Sequence, residues 1–291
     1  MMEDKKKLEP TFIGENDDLV FVVPKELFTM KLNPEQKLDP KSAKEFSKYL
    51  TGTFKGFQAA NKTKYNNGNN EKTETTLEFW ADFEKSAIDK GVDLIGYVPV
   101  QEGYIFKDLP IIGKNAIILG MEMKWDMIKD APGINCGIES FRVYYELGEI
   151  TIKLTEYLQD QGYRTEAHHP FGGKLLFTAH AAAANLGYMG RIGLVVTPEF
   201  GPRQRWSIIT TDADIPKTKK RDFSEMEDFC ESCGACIENC IGGATYDQPI
   251  HKGVGAEIIT HIDRNKCIES MVTNNYCSNC LKVCPQGNNR S

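Results

Sequence analysis

Eight of the nine cysteines fall between Cys230 and Cys284, with spacings that suit thiolates gathered around a metal. Cys230, Cys233, Cys236 and Cys240 form a C-x2-C-x2-C-x3-C run. Cys277, Cys280 and Cys284, followed by Pro285, repeat its second half, and Cys267 precedes them by ten residues. Two-residue spacers let a tight loop aim three sulfurs inward while a fourth arrives from a distant turn, the arrangement a cube of iron and sulfide needs. In this type of run the fourth cysteine serves the other cluster. The expected ligand sets are therefore Cys230, Cys233, Cys236 and Cys284 for one [4Fe–4S] cluster, and Cys240, Cys267, Cys277 and Cys280 for a second. Structural zinc also uses two-residue spacers, but three thiols crowded on one loop suit a cube better than one tetrahedral ion. Ile241 stands where the usual run has proline, which softens the turn and removes no ligand. Cys136 lies outside the pattern and is expected to be a small buried apolar residue.

A glycine-rich segment precedes the cysteines. Leu186-Gly187-Tyr188-Met189-Gly190-Arg191-Ile192-Gly193 is followed by Thr197-Pro198-Glu199-Phe200-Gly201-Pro202-Arg203. Glycines spaced by two residues let backbone approach a bulky ligand where side chains would not. The spacing differs from the dinucleotide fingerprint, and it follows a helix pattern where that fingerprint follows a strand. A tight structural turn is the competing reading.

Elements able to position these groups can be read from periodicity. Thr75 and Thr76 cap a helix expected to run to residue 90, with Leu77, Trp80, Phe83 and Ala87 on one face and Gly91 as its stop. Strands are expected over residues 92–98, 115–123, 163–167 and 204–211, and a further apolar strand over 19–23 that stops at Pro24. A long amphipathic helix is expected over 138–161, and a small-residue helix over 174–186. This alternation implies an α/β layered domain over residues 76–216. Residues 1–75 form a weakly patterned extension whose Asn-rich stretch, 61–70, is expected to be solvated and disordered. A charged hinge around 217–222 leads into the cysteine-rich domain, 222–291.

Composition sets outer limits. With 41% hydrophobic and 26% charged residues the chain should fold. A net charge of −6 argues against a nucleic-acid partner. No apolar run reaches the ~18 residues of a membrane span. Neither a signal core nor a twin-arginine pair marks the N-terminus, so a cytoplasmic location and no membrane span are expected.

The ordered combination of the Leu186–Gly193 string, the Thr197–Arg203 string and paired ferredoxin runs resembles the cobalamin-dependent reductive dehalogenases, over roughly residues 77–285. Epoxyqueuosine reductase is the sister family. The resemblance implies a nitroreductase-like α/β domain holding base-off cobalamin beside the nearer of two [4Fe–4S] clusters, and an α+β ferredoxin-like domain carrying both. It implies a small-molecule substrate such as an organohalide and an electron donor such as a ferredoxin or flavodoxin. By place in the motif Tyr144 is the proton donor and Arg205 the basic residue beside it, a part Lys174 could also play. His169, Lys174, Gly187, Gly190, Arg191, Gly193, Thr197, Pro198, Glu199, Phe200 and Gly201 are the expected corrinoid neighbours. Tyr144 as a packed helix tyrosine is the plain alternative. His168 and His169 could line the pocket or donate a proton, or simply bond to backbone. The sequence also departs from the family. It is shorter than respiratory dehalogenases, and His168-His169-Pro170-Phe171-Gly172-Gly173 holds no acid where epoxyqueuosine reductases carry a catalytic Asp. Ala167 breaks the Asp-x-His-x-x-Gly pattern of histidine-ligated corrinoid proteins. Rival readings are an electron-transfer protein or reductive activator for another corrinoid protein, a corrinoid-binding protein, and an epoxyqueuosine reductase-like enzyme.

Overall fold

The computed structural model describes residues 8–17, 19–21, 38–250 and 260–287. Two short strands, β1 (Phe12–Ile13) and β3 (Pro110–Ile111), pair at one margin. The central sheet contains β2 (Leu94–Pro99), β4 (Asn115–Glu122), β5 (Thr165–His168) and β8 (Gln204–Thr211). Its order is β2-β4-β8-β5, every pairing antiparallel, with Ile118 between Gly96 and Ile208.

Consecutive apolar residues along Asn115–Glu122 divide between two cores, because side chains alternate across a strand. Ile117, Leu119 and Met121 pack with α2 (Leu77–Asp89) and α4 (Ile134–Asp160), through Trp80, Phe83, Val143, Leu147 and Leu154. Ala116 and Ile118 face the other side, toward Ala181 of α5 (Phe177–Ala183) and Val195. Val195 belongs to β7 (Val195–Val196), which pairs with β6 (Tyr188–Met189). The sheet is thus the middle of three layers, in a mixed helix and strand arrangement whose central sheet is wholly antiparallel. The expected cap of α2 is present, Phe79 N donating to Thr76 Oγ1 at 3.1 Å.

Residues 38–70 depart most from the sequence reading. Helix α1 (Pro40–Thr63) runs for 24 residues and packs along α4. Asp39 caps it by accepting from Lys41 N and Ser42 N, with Pro40 in the first turn, a start signal that was legible. Its buried face is built of Thr53, Gly56, Ala60 and Thr63 beside Phe46, so the amphipathic pattern is faint in sequence. The Asn-rich stretch is ordered. Asn67 is buried, its amide donates to Thr165 O (3.1 Å), and Thr165 N donates back to Asn67 Oδ1 (2.7 Å). Asn70 donates to Gln159 O and Tyr163 O. An amide making both backbone bonds covers the open side of edge strand β5, where an unpaired ladder would otherwise face solvent.

Smaller differences have local causes. Helix α5 is shorter than 174–186 because Lys174 O accepts from Phe106 N and Leu175 bridges Ile105, while Asn185 turns left-handed (φ 58°). Of the strand expected at 19–23, residues 19–21 form no strand, and 22–23 lie outside the described residues; Leu19 O instead accepts from Lys107 N. A one-turn helix α3 (Trp125–Ile128) follows β4. The cysteine-rich segment holds α6 (Ser224–Cys233), α7 (Ala235–Glu238), the pair β9 (Thr245–Ile250) and β10 (Thr260–Ile262), α8 (Arg264–Thr273) and α9 (Asn279–Val283). Among the described residues no helix is long and apolar enough to cross a membrane.

Candidate functional site

Tyr144 lies on α4, in a stretch held to the sheet by a buried ion-pair network. Glu139, 1% exposed, accepts from Arg142 Nε and Nη2 at 2.8 and 2.7 Å and from Lys124 N at 2.6 Å. Arg142 donates on to Glu146 and to the Glu122 carbonyl at the end of β4. Paired in this way, neither buried charge is left isolated, a state that costs several kcal/mol. These residues were not singled out in the sequence, although their spacing of three and four is that of ion pairs along one helix face.

Arg205 stands opposite Met121 in the β4–β8 register and reaches toward α4. Its guanidinium carbon is 5.5 Å from the centroid of the Tyr144 ring, and Nη2 donates to Ser140 Oγ at 3.4 Å. The rings of Phe141 and Phe171 meet Tyr144 edge-on, at 5.9 and 5.6 Å between centroids. The structure therefore brings Tyr144 and Arg205 together in an aromatic box. Arg205 Nε is buried there without a hydrogen-bond partner. Lys174 is engaged elsewhere, by the buried carboxylate of Glu166 and by Pro110 O. Glu166, which also accepts from Ile112 N, was not singled out in the sequence.

None of the nine cysteines forms a disulfide. Burial pushes the Cys236 thiol up to about 11, and Cys230, Cys284 and Cys233 add to the rise as neighbours. Burial likewise raises the Cys280 thiol, followed by the influence of Cys267, Cys277, Cys240 and Cys236. Cys267 is raised by burial, then by Cys240 and Cys277, while Arg205 and Arg264 oppose the rise. Burial acts upward on Cys240 too, but hydrogen bonds from the Ala244–Thr245 stretch outweigh it and hold that thiol low. Cys236 thus has Cys230, Cys233 and Cys284 as neighbours, and Cys267 has Cys240 and Cys277. Gly234, left-handed at φ 62°, makes the bend between α6 and α7 that separates Cys233 from Cys236. Among the described residues no three His, Cys, Asp or Glu side chains form a group compact enough for a single metal ion. Eight free thiols are a donor set whose number and chemistry suit a pair of cubanes. Cys136, 1% exposed, belongs to the α4 core as expected.

The glycine-rich segment makes contacts of a different kind from those read in the sequence. A Cβ on Gly187 would lie 2.3 Å from Val196 O, and one on Gly190 would lie 2.6 Å from Val196 Cγ2, so the partner lying flush against these glycines is their own β6–β7 turn. Thr197 and Gly201 exchange backbone bonds at 2.8 Å, with Phe200 N donating to Thr197 Oγ1, which closes the Pro198–Glu199 turn on itself. Around that turn the segment grips the cysteine-rich region. Gly193 abuts Ile262, Gly201 abuts the Gln286 carbonyl, Arg191 pairs with Asp247, and Glu199 pairs with Arg221 of the hinge. Phe200 is buried in the core beneath the sheet. Glu199 Oε2 is buried without a partner.

His169 is 1% exposed and wedged between α1 and α4, against Gly56 and Gly148. Phe171 N donates to its Nδ1 at 3.1 Å, which assigns the ring proton to Nε2. Burial lowers its pKa to about 4, so the ring is neutral at pH 7 and the backbone-bonded reading describes it. His168 is likewise kept neutral by burial and contacts Thr210 Oγ1 at 3.0 Å.

The sequence was compared with known proteins. No family model matches it. Tetrachloroethene reductive dehalogenase of Desulfitobacterium hafniense is 29% identical over 219 residues, 70% of this chain and 38% of the relative. The tetrachloroethene reductive dehalogenase of Sulfurospirillum multivorans is 28% identical over 207 residues, 64% of this chain and 40% of the relative. The chain spans about two fifths of the length of these curated relatives. A solved catabolic reductive dehalogenase, NpRdhA, in complex with 3-bromo-4-hydroxybenzoic acid, superposes with a TM-score of 0.67 at 20% identity, covering 80% of this chain and 36% of that one. The chain thus resembles reductive dehalogenases in sequence and shares the fold of one over the superposed part.

Proposed function

We propose that this chain is a cobalamin- and iron–sulfur-dependent oxidoreductase that removes a halogen from a small organic substrate. The reading is supported most directly by one arrangement: the Cys267 thiol and the Tyr144 ring share Arg205 as a cationic neighbour. Cys230, Cys233, Cys236 and Cys284 would hold one cluster and the other four thiols a second, and these would supply one-electron transfer from a small redox protein such as a ferredoxin or flavodoxin. A corrinoid, when bound, supplies a low-valent cobalt able to attack a carbon–halogen bond. Arg205 Nε and Glu199 Oε2, both buried and unpartnered, are polar groups that the amides of such a molecule would satisfy. The reaction consumes two electrons and one proton per R–X and yields R–H and X−. Tyr144 holds that proton on its hydroxyl, Arg205, itself bonded to Ser140, steadies the ring, and Phe141 and Phe171 exclude water around it.

The test is anaerobic reconstitution with ferrous iron, sulfide and hydroxocobalamin, followed by gel filtration. Turnover is then measured as halide release with reduced methyl viologen and either tetrachloroethene or 3-bromo-4-hydroxybenzoic acid. Co-elution of cobalt with eight irons per chain, together with halide release, is expected. Iron without cobalt would make the protein an electron carrier. Cobalt without turnover of either compound would make it a corrinoid-binding protein.

A further inference from the structure

Tyr188 is a buried polar residue that neither the fold nor the proposed reaction uses. Its side chain is 5% exposed and packs with Val196 and Phe223, against Met226 and Cys230. Its hydroxyl is buried and makes no hydrogen bond of regular geometry. An unsatisfied buried hydroxyl costs about 1–3 kcal/mol, and phenylalanine would fill the same space without that cost. The hydroxyl therefore calls for an acceptor, and the Cys230 side chain is packed against the apolar cluster in which Tyr188 is buried. A protonated thiol is a weak acceptor. A thiolate bound to iron carries negative charge, and charge-assisted hydrogen bonds are roughly twice as strong as neutral ones. The aim of the side chain is set by its backbone. Tyr188 is opposite Val196 in the β6–β7 register, and Gly187 lets the two strands close to contact.

We propose that Tyr188 is a positioning residue for the cluster held by Cys230, Cys233, Cys236 and Cys284, its hydroxyl donating a hydrogen bond to Cys230 Sγ and raising the reduction potential of that cluster. The inference rests on the two-cluster reading above. Its physical basis is differential stabilisation: the reduced cluster carries one more negative charge, so a donor aimed at its thiolate favours the reduced form more than the oxidised one. No atom moves in this step; the proton stays on the phenol. The other four thiols have no such donor from Tyr188, so only one of the two potentials should respond.

The experiment is a redox titration of the reconstituted protein, followed by electron paramagnetic resonance, with iron content measured on the same sample. Tyr188→Phe should keep eight irons and shift one midpoint negative by about 59 mV, a tenfold change in a one-electron equilibrium, leaving the other in place. 2,3,5-Trifluorotyrosine introduced at position 188 keeps the ring, makes the hydroxyl a stronger donor, and should move the same midpoint positive. That second arm decides the matter if the phenylalanine variant loses its clusters. Eight irons with both midpoints unmoved in either variant would overturn the role of Tyr188 alone. A parent protein without two clusters would overturn the two-cluster reading and this inference together.

Discussion

Arg205 lies with its guanidinium carbon 5.5 Å from the centre of the Tyr144 ring, so a cation of β8 is held against a phenol of α4 across the helix–sheet interface. The same arginine opposes the rise of the Cys267 thiol. Such a cation–π contact contributes about 0.5–2 kcal/mol. Its position ties the Tyr144 ring and the Cys267 thiol to one cation.

If Tyr144 supplies the proton, Tyr144→Phe removes one hydroxyl and leaves the Phe141 and Phe171 contacts in place. Halide release should fall by ~10²-fold or more, the usual worth of a positioned acid, while iron and cobalamin content stay unchanged. Arg205→Gln should give a smaller loss, since the arginine holds the ring and transfers no proton. Parental activity in Tyr144→Phe would return that residue to plain aromatic packing.

The two sets of thiols make the ligand assignment testable by iron analysis. Cys233→Ser should lower the count from about eight toward four, because each cubane holds four irons. Cys136→Ser should leave it unchanged, since Cys136 lies in the α4 core and contacts the Met127 carbonyl. Stoichiometric zinc in the purified protein, without broad visible absorption, would contradict the assignment.

Acid should destabilise the α/β domain through its buried histidines. Burial lowers His169 and His180 to about 4, and Gln101 N donates to His180 Nε2, which must be unprotonated to accept. Both folded values lie below the ordinary ~6.5, so between pH 6.5 and 4 the unfolded chain binds more protons than the folded one. Their contribution is fully present above pH 6.5 and is lost as pH falls toward 4, by about 2 kcal/mol per ring between pH 7 and 5. Urea denaturation at those two pH values should show a smaller acid loss in His180→Gln than in the parent. Equal losses would mean that His180 is not buried in its neutral form.

Much of the scaffold was legible because it obeys simple periods. The strand over Asn115–Glu122 reads as an unbroken apolar run, and its burial on both faces follows directly. The clustering of eight cysteines near the C-terminal end was legible from spacing alone. The helix Pro40–Thr63 was missed because its packing face is made of glycine, alanine and threonine, residues that carry little hydropathy signal. Asn67 was misjudged for a related reason: asparagine in a polar stretch reads as solvated, whereas its amide here pairs with both backbone groups of Thr165. The glycine-rich segment was read as an approach to a ligand, and close approach is what occurs. The partners, however, are Val196, Ile262 and the Gln286 carbonyl, distant or irregular contacts that no local pattern encodes.

The same small-residue logic gives a stability test at Gly148. A Cβ there would lie 2.0 Å from His169 Nε2 and 2.5 Å from its Cδ2, and the ring cannot retreat freely because Gly56 of α1 closes its other side. Alanine would improve helix propensity by about 1 kcal/mol, but a contact this short forces the ring or the helices apart, and overpacking of that kind typically costs about 1–3 kcal/mol. A net loss is expected in Gly148→Ala, with the α1–α4 contact weakened first. His169→Ala removes the ring and should be destabilising alone, through the cavity it leaves. Combining the two should cost less than the sum of the single losses by more than about 1 kcal/mol, since the alanine at 148 then occupies space the ring has vacated. Additive losses, within about 0.5 kcal/mol by denaturant titration, would show that the ring does not sit between the two helices and that Gly148 serves some other purpose.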